Sequence, residues 1–589
     1  MATDARADAP LDDAHAARGD HRFWPILALV VLTVSAIYGQ GVGHDFVEFD
    51  DPSYVRDNPQ VRDGLTWEGV AWSFAPRLGI FHPLTLMSLM LGEELAGPDS
   101  AGVHKAMSAL LHAANAAMLL VFLLRATGRL GPSALVALLF AVHPMQVEAV
   151  SWVSGRKDVL AGFFFLLMLL FYQRSSRRMS GRAMAAVALL FALGLLSKGA
   201  IVMVPFVLLL LDVWPLGSTE VSTQDVPGWR RLVLEKWPLF ALSSVFVVIA
   251  IGTAGSQLNP WIDDPSLLRR IAEVPLRALF YLQKLLVPVG LTVAYPSPAQ
   301  MGLEPWSALR LVVSGIALAA LIAGALGLRQ RAPAIVVGLL WLLVLLLPLL
   351  GIVPNALRMP QDRYVYLPSI GLFIALAFGS VQLAGAHGLG RRWRLAGQAA
   401  GAAAVIVSGG LAFVQVGHWK SSDRLFEHAL AVSERNAVVH FSLAMHLVHT
   451  GRDDEALSEL DRALVIHPLH FQALATKGFL LDRRGDAGGA IAQYRAALAI
   501  APDYVPAMIN LGDMLTRESQ AEEAGDVLRR AIAIAPESVN AHYVLGLALD
   551  AEGRHHDAIR AYEAALRIEP EHRGVGAALA RSRNLATAR

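Results

Sequence analysis

The chain has 589 residues, of which 55% are hydrophobic and 17% charged, a balance outside the range of soluble domains and inside that of polytopic membrane proteins. With 50 Lys and Arg against 49 Asp and Glu, its net charge of +1 gives no electrostatic reason to expect nucleic acid as a partner. It contains no cysteine, which excludes disulfides, thiolate catalysis and cysteine-ligated zinc.

A polar tail over residues 1–23 is followed by apolar runs long enough to cross roughly 30 Å of hydrocarbon as helices. The pattern predicts about eleven spans, at 24–43, 103–124, 131–150, 155–173, 182–197, 200–216, 235–254, 307–328, 333–351, 365–385 and 396–416. The first lacks a small-x-small cleavage site and reads as a retained anchor. Arg18 and Arg22, Arg125 and Arg129, Arg174, Arg177, Arg178 and Arg182, Arg230, Arg231 and Lys236, Arg329 and Arg331, and Arg391, Arg392 and Arg394 all fall on one side if the tail is cytoplasmic. The stretch Val274 to Val289 carries Arg277 and Lys284 and is read as an interfacial or re-entrant helix in an outer loop. An odd number of spans then puts everything after residue 418 outside.

From residue 419 the sequence turns polar and repeats every 34 residues: Pro468, Pro502, Pro536 and Pro570 keep that period, as do Ala456, Ala490, Ala524 and Ala558. Gly478, Gly512 and Gly546 hold a small position of the first helix, where Ala444 stands in the opening repeat, and Gly451, Gly485 and Gly553 mark the inter-helix turn. The period predicts tetratricopeptide repeats at 437–470, 471–504, 505–538 and 539–572, with a half repeat at 419–436 and a closing helix. Phe441, Phe479, Asp513, Tyr543 and Asp550 are expected to face the concave groove. The positions equivalent to Asn510 are Ser442, Thr476 and Val544, so a general protein-docking surface is favoured over a peptide clamp built on an asparagine ladder.

Reactive side chains collect on the outer side. Asp50 and Asp51 suit a base acting on a hydroxyl, or a metal, although Asp51 before Pro52 also reads as a helix N-cap. Glu148, Arg156 and Asp158 flank one outer turn, either satisfying one another as ion pairs or holding a phosphate. Lys198 and the Asp362-Arg363-Tyr364 run add further cations where a lipid headgroup would lie.

Taken in order, these elements resemble the GT-C glycosyltransferases. More narrowly, the chain is similar to the transmembrane and tetratricopeptide repeat-containing protein O-mannosyltransferases and their bacterial relatives. The resemblance rests on Asp50-Asp51, His82-Pro83-Leu84, His104 with His112 and Asn115, and His143-Pro144 through Glu148. It continues through Gly155-Arg156-Lys157-Asp158, Leu196-Ser197-Lys198, and Asp362-Arg363-Tyr364 through Ser369, and ends in the repeats. The chain departs from the family at His82, where Arg is usual, and at Gly199 and Asp362, where Glu is usual.

The resemblance implies an all-α protein: a GT-C-like transmembrane domain over 24–418 and a tetratricopeptide solenoid over 419–589. It implies a multi-pass protein of the bacterial inner membrane with periplasmic repeats. The expected activity moves a mannose-like sugar from a polyprenyl-phosphate donor, held among membrane lipid, to Ser or Thr of an acceptor protein docked by the repeats. Asp50 or Asp51 would be the base, and Arg156, Lys198 and Arg363 would hold the donor phosphate. His82, His104, His143, Glu148, Asp158, Asp362 and Tyr364 would support them. No metal or other cofactor is expected to be obligatory, and a divalent metal at the aspartate pair is left open. The rival readings are a membrane-anchored repeat scaffold for envelope assembly and a GT-C transferase acting on a glycan or lipid.

Overall fold

The computed structural model describes residues 21–75, 81–97, 100–176, 179–217, 228–254, 266–301, 303, 305–352 and 360–587. Arg18, Arg177 and Arg178, most of the N-terminal tail and residues 255–265 lie outside them. The described residues form helices and no strand, as expected where backbone polar groups must be satisfied within hydrocarbon. One compact unit runs to Glu434, and Arg435 onward makes the body of a second.

In the first unit, five described helices are long and apolar enough to cross a membrane: Phe23–Gly43, Ala101–Thr127, Ala308–Gly327, Pro368–Ala386 and Arg391–His418. Two bent pairs raise the number to seven, against about eleven expected from the sequence. The first pair, Leu130–Val142 with Pro144–Ser151, bends by 54° at Pro144, whose ring removes a helical hydrogen bond. The second, Gly228–Glu235 with Trp237–Gly252, bends by 53°. Three more expected spans are shorter apolar helices, Gly181–Ser197, Gly199–Val213 and Pro333–Leu349. The remaining one, Arg156–Ser175, opens on Arg156, Lys157 and Asp158. The helix Leu267–Leu286, read from sequence as interfacial, contains Pro275 and pairs Glu273 with both Arg269 and Arg277. It is not among the candidate spans.

Small residues set one close helix contact. A Cβ on Gly338 would stand 2.3 Å from the Gly371 carbonyl oxygen, and one on Gly371 would stand 2.4 Å from that of Gly338. Such bare backbone lets two helices touch where no hydrophobic force drives them together. The contact seats Pro368–Ala386, and with it the 361–367 segment leading into that helix.

In the second unit each repeat is a helix pair: Ala437–His449 with Asp453–Ile466, Phe471–Arg483 with Ala487–Ile500, Val505–Arg517 with Ala521–Ile534, and Val539–Ala551 with His555–Ile568. Arg573–Thr587 follows them. The expected half repeat, Ser422–Val432, falls instead in the first unit. Glycine is required inside the pairs because Gly478, Gly512 and Gly546 lie against Tyr494, Leu528 and Tyr562. A Cβ there would meet those side chains at 2.9, 2.6 and 2.3 Å.

The inter-helix turn needs left-handed backbone. Gly451, Gly485 and Gly553 adopt φ of 75°, 83° and 75°, and Ser519, one period from its neighbours, is forced to φ 63°. A side chain in that region costs roughly 1–2 kcal/mol, partly offset by glycine's larger loss of freedom on folding. Ser519→Gly is therefore expected to stabilise the array by about 0.5–1 kcal/mol. A thermal unfolding midpoint at or below that of the wild type would refute strain at this turn.

Candidate active site

Two aspartates adjacent in sequence have opposite fates. Asp51 is fully buried; its Oδ1 accepts from the Ser154 amide at 3.0 Å and the Ser154 hydroxyl at 2.6 Å, and its Oδ2 from the Val47 amide at 3.0 Å. Burial pushes its carboxyl above the usual range while the Ser154 hydroxyl pulls it back. Asp51 is thus a latch between the loop after Phe23–Gly43 and the turn after Glu148. Beside it, the Phe49 ring packs on Trp152 at 5.7 Å. Asp50 is partly exposed and makes no side-chain hydrogen bond or ion pair among the described residues, yet its charge reaches Lys157, Arg363, Tyr54 and Tyr364. The pair therefore does not present two free carboxylates to one ion.

Three cations gather on ring faces, two of them, Lys157 and Arg363, within reach of the Asp50 charge. Lys157 Nζ lies 4.7 Å from the Tyr54 ring centre and 5.7 Å from that of Trp152. Arg363 lies 4.5 Å from Trp152 and 5.6 Å from Tyr364, and Lys198 lies 5.5 Å from Tyr364. Ring quadrupoles attract each charge without neutralising it. Two acids complete the set: Glu148 accepts from Arg363 Nη1 at 2.6 Å and from its amide at 3.2 Å, and Asp158 pairs with Lys198.

Arg156 does not join them. It is fully buried and spent on packing, with Nε on Ser108 Oγ at 2.9 Å, Nη1 on Ser88 Oγ at 3.0 Å and Nη2 on the His104 carbonyl at 2.6 Å. The next residue, Lys157, takes the place expected of it. One step along a helix turns a side chain by about 100°, and a run of three charged residues does not reveal which one faces inward.

The supporting residues divide likewise. His104 bonds Glu93 at 2.7 Å within the protein and ties Pro83–Ala96 to Ala101–Thr127, away from the cations. His143 accepts from the Met145 amide through Nδ1 at 3.3 Å and donates to the Leu285 carbonyl through Nε2 at 3.0 Å, so it holds the bend at Pro144. His82 stands near the cluster, where burial and then Lys157 and Lys198 lower its pKa to about 3 and keep it neutral. Asp362 accepts from Tyr295 at 2.7 Å, and burial with Glu148 nearby holds its carboxyl well above the usual range. Behind them, the Tyr366 hydroxyl lies 2.8 Å from His112 and 3.0 Å from Asn115, which anchors the 361–367 segment.

A small cavity opens beside Lys198, Arg363, Asp158 and Tyr364. Its other walls include Ala161, Ile201, Leu345 and Leu349, so it has a cationic end and an aliphatic flank. That pairing of positive charge with an aliphatic wall matches in chemical character an anionic group beside an apolar one. Among the described residues no three His, Cys, Asp or Glu side chains converge as metal ligands.

Of the expected groove residues in the second unit, Phe479 is 40% exposed, Asp513 pairs with Arg517 at 2.9 Å, and Tyr543 packs on Tyr562 and His572. Phe441 is partly buried against His470. Asp550 accepts from Tyr562 at 2.9 Å, bonds His555 at 2.9 Å and accepts from Ser582, tying the last three helices together.

The split between the aspartates is testable by stability alone. Asp51→Ala leaves three donors unpaired and is expected to cost about 1–3 kcal/mol, whereas Asp50→Asn should leave the melting temperature unchanged. Equal melting temperatures for the two variants would undo the assignment of Asp51 as a latch.

Tetratricopeptide repeat family models match residues 539–572, and 408–470 with 476–539. Over 518 residues the chain is 26% identical to the human protein O-mannosyl-transferase TMTC1, covering 75% of this chain and 55% of that protein. It is 26% identical over 500 residues to human protein O-mannosyl-transferase TMTC4, covering 74% and 65%, and 27% over 269 residues to Tmtc2 of Drosophila melanogaster, covering 43% and 28%. The chain thus spans about half the length of the first of these relatives. Among solved structures, MamA 41-end from Desulfovibrio magneticus RS-1 aligns over 26% of this chain and 88% of its own, with 26% identity and a TM-score of 0.24. The homologues of this chain are protein O-mannosyl-transferases, and its C-terminal segment is built of tetratricopeptide repeats.

Proposed function

We propose that the protein is a membrane glycosyltransferase of the GT-C type. It moves a mannose-like sugar from a polyprenyl phosphate to Ser or Thr hydroxyls of extracytoplasmic proteins. The observation that carries this reading is one unpaired carboxylate, Asp50, within the field of a cation cluster that borders an aliphatic-walled cavity. The names of the relatives support it.

In this reading the lipid chain of the donor lies along the aliphatic flank of the cavity, with its phosphate against Lys198 and Arg363. Asp50 accepts the proton of the acceptor hydroxyl as the hydroxyl oxygen bonds to the anomeric carbon. The bond from that carbon to the phosphate oxygen breaks with inversion, and the cations stabilise the charge left on the polyprenyl phosphate. Glu148 and Asp158 hold the cations in place, and Asp51 holds the base by latching its loop. The protein sits in the bacterial inner membrane, with the site and the repeats on the periplasmic side. The repeats dock the acceptor.

Two outcomes follow. Asp50→Asn should lower sugar transfer from the lipid donor to a Thr-containing acceptor by at least about 100-fold while the protein stays folded; wild-type rates would remove Asp50 as the base. Phe479→Glu, on the exposed repeat surface, should raise the KM for a protein acceptor and spare turnover of a short peptide. An equal effect on both acceptors would argue against docking by that surface.

A further inference from the structure

We propose that Lys157 is the principal ligand of the donor's phosphate, a cation held without a counter-ion until that phosphate arrives. The inference rests on the lipid-phosphate reading above and assigns its electrostatics to one residue.

Of the three clustered cations, two are already neutralised. Arg363 is paired with Glu148 and Lys198 with Asp158. Lys157 has no carboxylate within ion-pair distance among the described residues, although it is only 7% exposed. Its one hydrogen bond, to the Tyr54 hydroxyl, is long at 3.5 Å, and its other neighbours are the faces of Tyr54 and Trp152. Burying a charge without a partner is costly, and ring faces compensate only part of that cost. A fold optimised for stability alone would put an apolar side chain here.

The surroundings show what the charge is for. Lys157 stands behind the cavity wall, sharing the Trp152 ring with Arg363, which lines it, and lies within the fields of Arg363, Asp50, Asp158 and Lys198. An anion reaching the cluster finds Arg363 and Lys198 already engaged and gains most from the free ammonium. Phosphate is the anion whose several oxygens can bridge three cations at once. The aliphatic flank of the cavity favours a phosphate carried on a lipid chain over free phosphate.

The test uses the full-length protein in detergent with farnesyl phosphate and inorganic phosphate as probes, read by quenching of tryptophan fluorescence, and with thermal melts of each variant. Wild type should bind farnesyl phosphate more tightly than inorganic phosphate. Lys157→Met should weaken farnesyl phosphate binding by about 10-fold or more while melting at or above the wild-type temperature, because an uncompensated buried charge has been removed. Lys157→Arg should keep most of the affinity. Unchanged binding in Lys157→Met overturns the assignment of Lys157 and leaves the donor reading intact. Lost binding with a lower melting temperature in both variants also overturns it, since the lysine would then be structural. Failure of the wild type to bind farnesyl phosphate overturns the donor reading and this proposal together, and equal affinity for inorganic phosphate overturns the lipid source.

Discussion

Holding positive charges side by side within the protein is the constraint around which the first unit is arranged. Like charges repel more strongly where water is scarce, and each cation loses hydration as it is buried. The chain meets this by interleaving cations with rings. Tyr54, Trp152 and Tyr364 stand among Lys157, Arg363 and Lys198, while Glu148 and Asp158 take up two of the three charges. These residues come from four separate stretches of sequence, so the cluster exists only when the helices around it are seated. The Gly338–Gly371 contact and the bonds to Tyr366 seat the stretch that carries Arg363.

The same constraint explains why polar residues in one motif part company. Asp51 and Arg156 are consumed by hydrogen bonds within the protein, and their neighbours Asp50 and Lys157 keep unspent charge. The fixed member positions the free one: Asp51 is tied to Ser154 and Val47, and Arg156 anchors the first turn of the helix from which Lys157 projects. Stability and reactivity are thus divided between adjacent residues, which lets a buried site carry groups that the fold itself does not satisfy.

The second unit obeys simpler rules. Small residues at a fixed interval admit large neighbours from the paired helix, and exposed ion pairs such as Arg495 with Glu523 link helices of successive repeats. Surface pairs of this kind add little stability and mainly keep the outer faces soluble. Phe479 remains exposed on this array, an apolar ring available to a partner.

The sequence by itself determined the helical class, the apolar runs, the repeat period and the segments that carry polar chemistry. Each of these is written in local spacing: a span in its length, a repeat in the 34-residue interval of its prolines, alanines and glycines. The left-handed turn at Ser519 was legible in the same way, from the glycines one period to either side. Only the tertiary structure decided which helices are long and apolar enough to count as spans: two runs are bent, three form short helices and Arg156–Ser175 is not among the candidates, which leaves five or seven of about eleven. It also decided which polar neighbour is tied up in hydrogen bonds and which is not. That depends on helix rotation and on partners far away in sequence, as Arg363 is from Glu148 and Lys198 from Asp158. A linear motif can show that Asp50-Asp51 and Arg156-Lys157 matter. The distances between helices assign the free charge to Asp50 and Lys157.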